Sequence, residues 1–189
     1  MKITSKKTYR IIKMVLDMKK FTQYEISKKG DLTFSLVNKV VNWLVSRGYV
    51  AKRTGHYELI SPAAIFNLFP VYRKMKPYET FDVDLSHEEA LEMLKGKGTL
   101  CLTTALSYYD AYFRDPAIRV YSEDKNLIKE IKNLPKGYTR IEFYKEDLSS
   151  KDSVKKDGKL LTDKTRTIID LFCSNKAYAA ERLVKKEWV

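Results

Sequence analysis

Ser35, Asn38, Lys39, Asn42 and Ser46 fall at i, i+3, i+4, i+7 and i+11. On a helix that spacing lines them up along one side. Hydroxyls and amides donate and accept hydrogen bonds, and a lysine neutralises a phosphate. Such a set suits base edges and phosphates in a major groove. A helix face that is merely solvated usually carries more Glu and Lys, whereas this one holds no acid. The helix that must present it runs from a cap at Thr33 to about Arg47. Val37, Val40, Val41, Leu44 and Val45 form its inward stripe, and Gly48 stops it as a C′ residue.

The elements around this helix are also legible. Tyr9, Ile12, Val15 and Leu16 recur at helical spacing between lysines and arginines, which predicts an amphipathic helix over Thr4 to Lys19. Thr22 is placed to cap a short helix through Lys29, within which Tyr24 and Ile26 are expected to supply apolar contacts, and Gly30-Asp31 turns the chain. After Gly48, two β-prone runs, Tyr49 to Lys52 and His56 to Ile60, flank the turn Arg53-Thr54-Gly55. A helix-turn-helix followed by a basic-tipped hairpin is the layout of a wing.

The pattern Thr33-x3-Val37-x6-Leu44-x3-Gly48-x-Val50 resembles the recognition helix and first wing strand of winged helix-turn-helix regulators. The match covers about the first 60 residues. The resemblance implies that Ser35, Asn38, Lys39 and Asn42 face the groove, with Thr33 heading that helix. Lys52, Arg53, Thr54 and His56 then stand at the wing. The partner implied is double-stranded DNA. Some winged helices serve instead as protein-interaction modules.

Charge agrees with this assignment. The chain has 36 basic and 24 acidic side chains, a net charge of +12. Sixteen of the basic residues, against four acids (Asp17, Glu25, Asp31 and Glu58), lie between Met1 and Lys76. From Pro77 onward, twenty of each sign balance. A basic module is therefore joined to a neutral one, and phosphate neutralisation is the commonest reason for such a module.

The expected fold class is α+β, with a winged helix over residues 1–61, a helical connector over 62–77 and a mixed α/β effector or assembly domain over 78–189. In the connector, Ile65, Phe66, Leu68, Phe69, Val71 and Tyr72 carry too much apolar surface for a free linker. They pack on a neighbouring domain or make a dimer contact. Pro62 starts the connector helix, and Pro70 is expected to end or kink it.

In the neutral half, strands are expected over Tyr78 to Leu85, Ala117 to Tyr121 and Tyr138 to Tyr144. Ser86 and Glu89 form a capping box that opens a helix to about Leu94. The nearly uncharged stretch from Thr99 to about Phe113 reads as a central buried helix. A helix from Ser122-Glu123-Asp124 to Leu134 follows. Lys155 to Leu161 is either a hairpin or a lone strand around Asp157-Gly158. Helices from Thr162-Asp163 to Cys173 and from Lys176 to Lys186 complete the chain.

Two stretches carry a second resemblance. Thr103-Thr104-Ala105-Leu106-Ser107-Tyr108-Tyr109 is similar to the T-A-L helix of AbiEi-type antitoxins. Leu161-Thr162-Asp163-Lys164-Thr165-Arg166-Thr167-Ile168-Ile169-Asp170-Leu171 is similar to their T-D-x-x-R-T segment. Domain order agrees as well. The resemblance implies a repressor of its own toxin–antitoxin operon, with a cognate toxin as a further partner. A palindromic operator would need two copies, so a homodimer is expected. The residues also have a plain structural reading: Asp163 as an N-cap, and Arg166 with Asp170 as an i,i+4 ion pair.

The same chain is read as a non-enzyme without a cofactor. His56 and His87 are its only histidines, and no glycine-rich phosphate loop occurs. Asp82 and Asp84 share a strand face that could ligate magnesium, but more often is solvent-facing. The sharpest rival is a metal-dependent nuclease built on Asp115 and Glu123-Asp124-Lys125, where carboxylates hold the ion and lysine polarises water. Those acids also fall at a predicted helix start, where the dipole favours them.

The total of 189 residues, 44% hydrophobic and 12% aromatic, argues for packed cores. Plentiful Lys, Glu, Ile and Tyr with a single glutamine, Gln23, resembles thermophile composition. No apolar run approaches the roughly 20 residues of a membrane span. Met1 to Lys7 lacks the apolar stretch of a signal peptide, so a cytoplasmic protein is expected, with Cys101 and Cys173 as buried free thiols.

Overall fold

The computed structural model describes residues 5–149 and 152–188. It is a mixed α and β structure in two compact units, the described residues up to Arg73 with Trp188 and the described residues from Lys74 to Glu187. Among the described residues no helix is long and apolar enough to cross a membrane.

The first unit begins with α1 (Lys6–Met18), capped by Ser5, whose hydroxyl accepts the Thr8 N–H at 3.1 Å. Its buried side is Tyr9, Ile11, Ile12, Val15 and Leu16. The two-residue strand β1 (Lys20–Phe21) follows, then α2 (Gln23–Gly30). Thr22 and Glu25 close a reciprocal capping box on α2. The turn out of α2 places its left-handed residue at Asp31, φ 47°, not at Gly30. Gly30 is small for another reason: a Cβ there would come 2.7 Å from Leu32 Cδ1.

Next comes α3 (Phe34–Ser46), which buries Val37, Val40, Val41 and Leu44. Thr33 stands at its N-cap position, but the expected side-chain capping bond is not made. The Thr33 carbonyl instead receives the Leu36 and Val37 N–H groups at 3.1 and 3.2 Å. At the other end Gly48 adopts φ 71°, with Gly48 N–H to Val45 O at 2.9 Å and Tyr49 N–H to Leu44 O at 3.0 Å. That pair of bonds satisfies carbonyls that the helix end would otherwise orphan.

Strands β2 (Val50–Arg53) and β3 (His56–Leu59) form a hairpin through Thr54-Gly55. β1 adds to the far side of β3, giving the antiparallel order β1-β3-β2. Phe21 stacks on Tyr57 at 5.7 Å. The connector is α4 (Pro62–Phe66) and α5 (Phe69–Tyr72), and it buries Ile65, Phe66 and Phe69. Pro70 lies in the first turn of α5, where its missing N–H costs nothing. The break expected there falls just before it.

The second unit is built on a six-stranded mixed sheet, order β4-β7-β6-β5-β9-β8. Its strands are β4 (Glu79–Val83), β5 (Thr99–Leu100), β6 (Ile118–Tyr121), β7 (Thr139–Tyr144), β8 (Ser153–Lys156) and β9 (Lys159–Thr162). Its helices are α6 (His87–Met93), α7 (Leu102–Leu106), α8 (Lys125–Lys132), α9 (Lys164–Cys173) and α10 (Ala177–Trp188). Val83, Leu100, Ile118, Val120, Ile141, Phe143 and Leu161 pack with Ala90, Leu94, Leu127 and Ile131 in one core. Ser86 and Glu89 make the capping box on α6.

One expectation fails here. Thr99 to Phe113 is not a single helix. Thr99–Leu100 is a strand in the middle of the sheet, and only Leu102–Leu106 is helical. Leu102 takes φ 53°, a left-handed value that interrupts a continuous helix, and Cys101 N–H is held by Arg119 O at 3.0 Å. The stretch is buried as expected, from Leu100 to Leu106. Between Lys155 and Leu161 the outcome is the hairpin β8–β9. Asp157 and Gly158 both have positive φ, 48° and 74°, the type I′ turn that Asp-Gly favours.

Candidate nucleic-acid interface

The packing of α3 decides which side chains it shows. With Val37, Val40, Val41 and Leu44 buried and Val45 half-buried, Thr33, Ser35, Asn38, Lys39, Asn42 and Ser46 are all exposed. Asn42 Nδ2 donates to Asn38 Oδ1 at 3.0 Å, so the two amides are linked along the face. The bond leaves the Asn38 amide donors and the Asn42 carbonyl oxygen for a partner. No acid lies on this face.

The hairpin shows Lys52, Arg53, Thr54 and Gly55 to solvent. Gly55 adopts φ 80°, which a side chain there would resist. His56 is half-buried, with Nδ1 3.1 Å from the Thr54 carbonyl, so its ring braces the turn. Arg53 is exposed but not idle. Its Nε donates to Glu58 Oε2 at 3.2 Å, while Lys20 stands 3.5 Å from the same carboxylate. The hydrogen bond from Arg53, ahead of the nearby charge of Lys20, holds Glu58 below the usual glutamate range.

The other acids of this unit are largely committed as well. Asp17 takes Lys13 Nζ at 2.7 Å, and Glu25 serves the capping box, whose bonds from the Thr22 backbone and hydroxyl lower its pKa. Lys28 lies over the Tyr24 ring at 5.6 Å and Arg47 over Trp43 at 5.6 Å, so aromatic faces steer two of the cations.

Tyr24, expected with Ile26 to supply apolar contacts on α2, is instead 63% exposed, and of the two only Ile26 is buried. Phe34, at the first position of α3, is 54% exposed and escapes sequence reasoning. Phe34 lies outside the inward stripe of Val37, Val40, Val41 and Leu44, which was the available signal.

Three of the acids considered for metal or nuclease chemistry, Asp115, Asp124 and Asp82, are held by other groups. Asp115 pairs with Arg119 at 2.7 Å and accepts the Ala117 N–H at 3.0 Å. Asp124 caps α8, accepting from Asn126 and Leu127 N–H at 2.9 and 3.2 Å. Glu123 and Lys125 thus flank a helix cap, not a strand. Asp82 is held by Arg140 at 2.9 and 3.3 Å. Among the described residues no group of three or more His, Cys, Asp or Glu is gathered closely enough to hold a metal ion.

Asp163 caps α9 through the Arg166 N–H at 2.8 Å, and Arg166 pairs with Asp170 at 2.8 Å, as their spacing predicts. The pair is fully buried, and Arg166 also reaches Tyr121 Oη at 3.0 Å and Glu146 at 2.9 Å.

Comparison with protein-family models, curated proteins and solved structures finds no match to the chain.

Proposed function

We propose that the chain is a DNA-binding transcriptional regulator whose first unit acts as a winged helix-turn-helix. The order α1, β1, α2, α3, β2, β3 and the antiparallel sheet β1-β3-β2 support that reading. The observation that carries it is the acid-free exposed face of α3 within a unit that holds nearly all the net charge. In this reading Ser35, Asn38 and Asn42 meet base edges in the major groove. Lys39, Lys52, Arg53 and Thr54 meet phosphates, with His56 bracing the hairpin tip. The similarity of residues 103–109 and 161–171 to AbiEi-type antitoxins favours a repressor of its own operon, binding a palindrome as a homodimer.

The test selects binding sites from random duplexes and titrates the selected site against salt. Each lost phosphate contact lowers the slope of log affinity against log salt by about 0.9. Lys39→Ala with Arg53→Ala should weaken binding and lower the slope by about two such steps. A slope near zero, or no loss in the double variant, would sink DNA binding.

A further inference from the structure

The second unit contains a hollow of about 560 Å³ between the first turn of α6, helix α7, the loop into β6 and the start of β7. That volume is in the range of small-molecule sites. Beside it lies a finished ion network. Arg119, 4% exposed, reaches Asp115 at 2.7 Å and Glu142 at 2.8 Å, and it bonds the Thr103 hydroxyl. Lys176 adds a second cation 3.7 Å from Asp115. Burial raises the Asp115 pKa, but the Ala117 N–H, Arg119 and Lys176 outweigh it and leave the carboxyl below its usual value. The one carboxylate of the lining is therefore already neutralised and does not call for a cationic ligand.

The remaining lining has unspent capacity of a definite kind. The side chains of Arg114, His87 and Tyr138 make no hydrogen bond or ion pair among the described residues. Arg114 offers a fixed charge and five N–H donors in a planar fork. The Ser107 and Thr139 hydroxyls donate hydrogen bonds to Thr104 O at 2.8 Å and Leu85 O at 2.5 Å, so toward the hollow their oxygens offer only lone pairs. Tyr138 is fully exposed and offers a flat ring. The matching ligand has an anionic head for Arg114, hydroxyl donors for Ser107 and Thr139, and room for a flat group at Tyr138.

We propose that this hollow binds a small phosphomonoester of a hydroxylated molecule, a mononucleotide or a sugar phosphate. Arg114 grips the phosphate, as its fork geometry suits. Ser107 and Thr139 accept from sugar hydroxyls, and the Tyr138 ring stacks on a base where one is present. The inference uses side chains of the second unit alone and does not depend on DNA binding by the first.

Calorimetric titration of the full chain with adenosine monophosphate, ribose phosphate and adenosine tests it. Both phosphates should bind and adenosine should not. Tighter binding of adenosine monophosphate marks a nucleotide site; equal affinities mark a sugar-phosphate site. Arg114→Gln, at an exposed position, should weaken both phosphates about tenfold or more, the scale of a lost charge-assisted hydrogen bond. Tyr138→Ala, equally exposed, should weaken adenosine monophosphate alone if the site takes a nucleotide. Lys39→Ala with Arg53→Ala should leave binding unchanged, which separates the site from general attraction to the basic unit. The proposal fails if neither phosphate binds, if adenosine binds as well as its phosphate, or if Arg114→Gln binds like the wild type. It also fails if the Lys39 and Arg53 substitutions abolish binding.

Discussion

Glu58 governs how much of the hairpin's charge is available. It faces Lys20 in register across β1 and β3, and Arg53 reaches over to it at 3.2 Å. Glu58→Gln should therefore free Arg53 and Lys20, tighten DNA binding and steepen its salt dependence, as fluorescence anisotropy would read. Unchanged affinity would mean that Arg53 does not meet DNA. The pair also sets a pH dependence. Because the folded pKa is lowered, the stability from this bond is complete above the ordinary glutamate value of about 4.5. It is lost as pH falls through the lowered folded value, so the wild type and Glu58→Gln should converge in acid. Arg53 was legible in the sequence as a basic turn residue. Its restraint by Glu58 was not, because the pairing depends on strand register that only the folded sheet sets.

At the level of elements, legibility followed periodicity. α1 and α3 repeat apolar residues over 13 positions each, long enough for one face to declare itself. β1 and β5 are two residues long and carry no period at all. They exist because a neighbouring strand offers its edge. The apolar run after Thr99 satisfies a buried strand and a buried helix equally, and the left-handed turn at Leu102 gives no local signal. The helix face of the candidate site was read from spacing alone, while Phe34 and Tyr24 needed the packed structure to show as exposed. α9 shows the opposite gap: spacing gave the Arg166–Asp170 pair but not its burial. A solvent-exposed pair of that kind is worth about 0.3–0.5 kcal/mol. Removing one partner of a buried pair costs about 3–5 kcal/mol, since the other charge is stranded. Arg166→Met, which takes the charge partner from the fully buried Asp170 carboxylate, should fall in the second range in chemical denaturation. A loss under about 1 kcal/mol would contradict the buried network.

For the molecule as a whole, the proposed DNA binding assigns the phosphate contacts to the basic unit, and that assignment can be mapped. Net charge alone would draw any basic chain toward DNA, with every exposed lysine contributing through the long-range field. Contact with phosphates is local, and only lysines that displace counterions at the interface change the salt slope. The chain supplies a matched pair of probes. Lys28 and Lys29 are exposed in the last turn of α2, and Lys185 and Lys186 are exposed in the last turn of α10. Substituting either pair with glutamine removes the same formal charge at the same kind of helical position. Lys28→Gln with Lys29→Gln should lower the slope of log affinity against log salt by up to about two contacts' worth. Lys185→Gln with Lys186→Gln should leave the slope unchanged and alter affinity only at low salt, where screening is weak. Equal slopes for the two double variants would mean that the charge acts as a diffuse field. The basic unit would then have lost its claim to be the surface that meets DNA.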